Sequence, residues 1–67
     1  MTMDASIRLE AMRIAKEMVK TAIRKQGVKL SSIAASDVTA KAKALVADDD
    51  GTIERKAKRI LKIRSQL

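Results

Sequence analysis

The chain has 67 residues, so it is one small domain, and 15 basic against 8 acidic side chains give it a net charge of +7. It has no Cys and no His, which removes disulfides, soft metal sites and the ordinary base-activated nucleophiles. Phe, Tyr and Trp are also absent, so any core is built from small and aliphatic side chains.

Pro is absent, and Gly occurs only at 27 and 51. The two glycines divide a chain rich in Ala, Lys, Arg, Met and Glu into three pieces, and that composition favours helix throughout. The first helix is predicted from about Ala5 to Gln26, with Asp4 or Thr2 as N-cap and Gly27 at the left-handed position past its end. Asp4 at the start and Arg24 and Lys25 in the last turn suit the helix dipole. Ala11, Met12, Ile14, Ala15, Met18, Val19, Ala22 and Ile23 cover an arc of about 180°, wide enough to meet two neighbours. Arg13, Lys16, Glu17, Lys20 and Arg24 fill the other side, where Arg13 with Glu17 and Glu17 with Lys20 have ion-pair spacing. Met12 and Met18 read as core gap-fillers rather than as an adaptable binding groove.

Val28, Leu30 and Ile33 are expected to plug the core where the chain turns. Ser31, Ser32 and Ser36 are candidate N-caps. A short helical turn near Ser31 to Ala34 and a second helix from about Asp37 to Ala47 follow, although one unbroken helix from Ser32 fits the pattern equally. Val38, Ala42, Leu45 and Val46 form the second helix's buried stripe, with Ala40, Ala44 and Ala47 behind it. Asp48, Asp49, Asp50 and Gly51 form a turn, and Asp49 or Asp50 caps a third helix from about Thr52 to Gln66.

The charge is local. Residues 1–50 hold nine basic and seven acidic side chains, and residues 51–67 hold six and one. At about 100° per residue, Arg55, Lys58, Arg59 and Lys62 form one stripe of the third helix. Ile53, Ala57, Ile60, Leu61 and Leu67 lie opposite, with Lys56 and Arg64 flanking or intruding on the apolar side. A cationic stripe of this kind neutralises phosphates, and guanidinium groups also reach base edges. Arg24, Lys25 and Lys29 extend the patch if the end of the first helix folds alongside. The competing readings are a solvated face and docking onto an acidic protein surface.

Two motif comparisons fail in part. Ala47, Gly51 and Ile60 have the spacing of a helix-turn-helix, but Asp50 and Thr52 stand where that turn needs apolar residues, so a plain helical hairpin is preferred. Asp48, Asp50, Gly51 and Ile53 match the middle of an EF-hand loop, but Val46 and Ala57 occupy its first and twelfth positions, so the coordination shell does not close.

The expectation is an all-α, three-helix protein with one short irregular connector and no enzymatic activity, cofactor, metal or small-molecule substrate. It binds nucleic acid, duplex DNA above single strands because no aromatic ring is present for base stacking. The alternative is a helical adaptor or inhibitor that self-associates or docks on an acidic partner. A chain this short buries only about 60% of its unfolded surface, so a homodimer and a marginally stable monomer are both compatible with it. Charges spread through the first fourteen residues argue against a secretory signal, and no run approaches a membrane span, so a soluble cytoplasmic protein is expected.

Overall fold

The computed structural model describes residues 4–67. Within them the chain forms three α-helices: α1 (Ala5–Lys25), α2 (Ala35–Ala47) and α3 (Thr52–Ser65). A single 3-10 turn, Leu30–Ser32, lies between α1 and α2. The fold is all-α, as the composition requires. No helix among the described residues is long and apolar enough to cross a membrane.

The glycines end and begin helices as their lack of a Cβ allows. Gly27 has φ +78°. Its N–H donates to the Arg24 carbonyl at 2.9 Å and the N–H of Val28 to that of Ile23 at 3.4 Å, which together close the end of α1 in a Schellman motif. Gly51 has φ +109° and hands the chain into α3.

Both candidate acids cap α3, and they divide the free N–H groups of its first turn between them. Asp49 accepts from Gly51 at 3.1 Å, Ile53 at 3.0 Å and Glu54 at 3.2 Å. Asp50 accepts from the Thr52 N–H at 3.1 Å and from its hydroxyl at 2.6 Å. The Ile53 N–H, foremost, then those of Glu54 and Gly51, hold the Asp49 carboxyl below its ordinary value, against the opposing pulls of desolvation and of Asp50. The Thr52 hydroxyl and then its N–H do the same for Asp50, with help from Arg55. These carboxylates are therefore occupied as caps, which accounts for the acidic turn without a cation.

The other expected caps are not made. Asp4 stands at the N-cap of α1 but makes no side-chain bond there, so it contributes charge alone. Thr2 lies outside the described residues. α2 starts at Ala35, two residues before the expected Asp37, behind Ala34, which has no side chain to cap it. None of the three serines caps α2: Ser32 instead donates its hydroxyl to the Lys29 carbonyl at 2.6 Å, stabilising the turn.

The middle of the molecule is α1, which packs against both α2 and α3, and no comparable contact joins α2 to α3. The wide apolar arc of α1 is used as expected, by two neighbours. Ala11, Ala15, Ala42, Ile53 and Ala57 form the core cluster, bordered by Ile7, Met12, Ile14 and Val46. The four wholly buried residues are all alanine, so the helices approach closely along a seam of methyl groups. Val19, Val38 and Ile53 are the other buried hydrophobic residues, worth about 1.5–3 kcal/mol each if fully buried.

Several residues expected inside are not. Leu45 is 37% exposed and Met18 43%. Val28 is exposed as well, and Leu30 and Ile33 are half-buried, so the connector covers the hairpin end without plugging a core. Leu67 lies beyond the end of α3 and is 98% exposed, because the helix stops at Ser65 and carries no apolar face past it. The molecule is correspondingly open. Its radius of gyration is 12.9 Å, where a compact chain of this length reaches about 11 Å.

Candidate nucleic-acid interface

A helix that buries Ile53 and Ala57 turns Arg55, Lys58 and Lys62 away from α1, since these lie on the other side of the wheel, and sets Arg59 at the edge, where it also lines the groove between α3 and α1. All four are exposed. Only Lys58 has a carboxylate within 4.0 Å among the described residues: its Nζ stands 4.0 Å from Oε1 of Glu54, one helical turn away, an exposed ammonium beside a half-buried acid. The stripe spans about 10 Å along the axis. Lys56 is also exposed, but it faces the groove between α3 and α1 rather than the outer side.

Arg64 does not belong to this surface in the way its neighbours do. On the wheel it falls between Ile53 and Ala57, so it points at α1. There its Nη2 stands 2.7 Å from Oε1 of Glu10, a side chain buried under the same helix. The pair is a charge contact rather than an aligned hydrogen bond: Oε1 has no donor directed at it. Arg13 reaches the same oxygen at 3.9 Å. Of the two pairs expected on this face, Glu17–Lys20 forms, at 3.7 Å, whereas Arg13 turns to Glu10 and not to Glu17. The buried carboxylate attracts both guanidinium groups, because an unpaired charge there is costly.

At the far end of α1, Lys25 lines the groove shared with Lys56 and Arg59. Arg24 and Lys29 are exposed near the α1–connector junction. The groove is open, about 740 Å³, with Ile14, Met18, Ala22 and Ile60 on its floor. Sequence reasoning missed both this groove and the Glu10–Arg64 contact. The one available signal was an arginine in the middle of a buried stripe, which requires a carboxylate opposite.

The architecture defines a small three-helix, all-α domain. No family model, curated protein sequence or solved structure matches the chain.

Proposed function

We propose that this chain is a non-enzymatic protein that binds duplex DNA through phosphate contacts from α3. The observation that carries the reading is the outer stripe of that helix, where Arg55, Lys58, Arg59 and Lys62 are exposed and, apart from the long Lys58–Glu54 contact, have no carboxylate within 4.0 Å among the described residues. Its length of about 10 Å suits the roughly 12 Å width of the major groove, so cations at its ends reach phosphates on either side. Binding then proceeds by release of condensed counterions. Lys56 and Lys25 extend the positive field from the adjoining groove, and Arg24 and Lys29 add to it from a distance. Arg64 is held by Glu10 and contributes least. Duplex is preferred to single strands because no aromatic side chain is present to stack on bases.

Titration of the protein against a labelled duplex at low and at moderate salt tests the proposal. Salt-sensitive binding at micromolar protein is expected, and its absence removes the reading.

A second reading, docking on another protein, is favoured by a separate observation: Met18, where two grooves meet on α1, and Leu45 of α2, beside one of them, are exposed. It is compatible with the first, since Arg59 is the one residue of the outer stripe that lines these grooves.

A further inference from the structure

The apolar face of α1 is covered unevenly: its first half is enclosed, and in its second half Val19 is buried but its neighbours on the stripe are not. Ala11 and Ala15 are wholly buried in the cluster with Ala42 of α2 and with Ile53 and Ala57 of α3. Further along the same stripe, Met18 and Ala22 are exposed. These two residues line the groove between α1 and α3 and also the groove of about 420 Å³ between α1 and α2. The later helices therefore stand apart above them, and the two grooves form one trough with α1 as its floor.

The floor is apolar and the banks are cationic. α2 contributes Lys41, α3 contributes Lys56 and Arg59, and α1 contributes Lys25. The acids on the α3 side are already paired within the chain, Glu10 with Arg13 and Arg64, and Glu17 with Lys20. What the trough presents to an incoming partner is thus apolar surface between two positive edges.

We propose that this trough docks an amphipathic helix of another protein, one whose apolar stripe is flanked on both sides by Asp or Glu, and that this helix completes a four-helix arrangement over Met18 and Ala22. The proposal rests on the protein-docking reading, and of the outer stripe proposed for duplex it uses Arg59 alone. Shape favours a helix, because the trough is wide and open, whereas a lone acyl chain needs enclosure on most sides. Ala22 and Ala44 leave room for a backbone at the usual 8–10 Å between helix axes. Charge selects the acidic flanks. A second copy of this chain would bring cations of its own to a positively edged trough, so it is the less favourable occupant.

The test is methyl NMR on the full chain, titrated with a synthetic helix carrying Leu at i, i+3, i+4 and i+7 and Glu on both flanks. Saturable shifts of the Met18 and Ile60 methyl groups are expected, with no such shifts for the same peptide flanked by Lys. Met18→Gln, an uncharged change at an exposed position, should weaken peptide binding about tenfold while leaving helix content and duplex affinity unchanged. Lys56→Glu combined with Lys41→Glu should transfer the preference to the Lys-flanked peptide. The proposal is overturned if the Glu-flanked peptide gives no saturable shift, or if both peptides bind alike. It is equally overturned if those methyls respond only to self-association in sedimentation, or only to anionic lipid vesicles.

Discussion

Nη2 of Arg64, in the last turn of α3, stands 2.7 Å from Oε1 of Glu10, in the second turn of α1, and Glu10 is only 5% exposed. The contact joins the C-terminal end of the basic helix to the central one, and it engages one cation of that helix with a carboxylate of the same chain. Its two partners are unequal: Glu10 is enclosed, whereas the Arg64 side chain keeps more than half its surface in water.

That inequality gives the first prediction. Arg64→Ala leaves a buried carboxylate with only Arg13 at 3.9 Å and should cost about 1–2 kcal/mol, below the roughly 3–5 kcal/mol of a fully buried pair because Arg64 is half in water. Glu10→Gln frees an arginine that can turn to solvent and should cost less. Chemical denaturation of both variants and of the double variant checks this; the double variant should lose less than the two single losses combined.

The second prediction concerns acid. Asp49 and Asp50 are held below the ordinary value of 3.8, so the folded state favours their charged forms. Their stabilisation is complete above that value, and it is lost as pH falls through their lower folded-state values. Thermal melts should be insensitive to these groups from neutral pH to about 5 and fall steeply below 4. Asp49→Ala should lower the neutral melting temperature more than Asp50→Ala, since Asp49 accepts three backbone N–H groups and Asp50 accepts one, plus a hydroxyl. In Asp49→Ala the acid-induced loss should also shrink.

The third concerns the alanine seam. Ala57 is wholly buried in the core cluster with Ala11, Ala15, Ala42 and Ile53, and Ala57→Leu should destabilise by about 1–3 kcal/mol although leucine is a good helix former. Ala47→Leu, at an exposed position of α2, should change stability little. Denaturant midpoints of the two variants, compared side by side, check the contrast.

The fourth concerns Gly51. Nothing lies within 4 Å of a Cβ added there, so the cost of Gly51→Ala is in the backbone, at φ +109°. About 1–2 kcal/mol is expected. Gly27→Ala, at φ +78° and nearer the left-handed well, should cost less.

The helices were legible in the sequence because local rules decide them. Gly27 and Gly51 ended the pieces, and Ala, Lys and Arg filled them. α2 began two residues early because packing of Val38 and Ala42 against α1 extends it past the Ser36–Asp37 pair that resembled a cap. Exposure of the basic stripe also followed from the wheel, since burying Ile53 and Ala57 leaves Arg55, Lys58, Arg59 and Lys62 outside. What periodicity does not contain is the angle between helices. Met18 and Ala11 share a stripe, yet one is exposed and the other covered, because α2 and α3 diverge over the second half of α1. The Glu10–Arg64 pair is a long-range choice of the same kind.

The most direct test of the account is duplex affinity measured across salt for the native chain, for Lys62→Ala and for Arg64→Ala. Four phosphate contacts predict a slope of log affinity against log salt of roughly −3 to −4. Lys62→Ala should reduce its magnitude by about 1, and Arg64→Ala should leave it nearly unchanged. A flat salt profile for the native chain, or a slope that responds to Arg64 and not to Lys62, contradicts the assignment of the outer stripe as the binding surface.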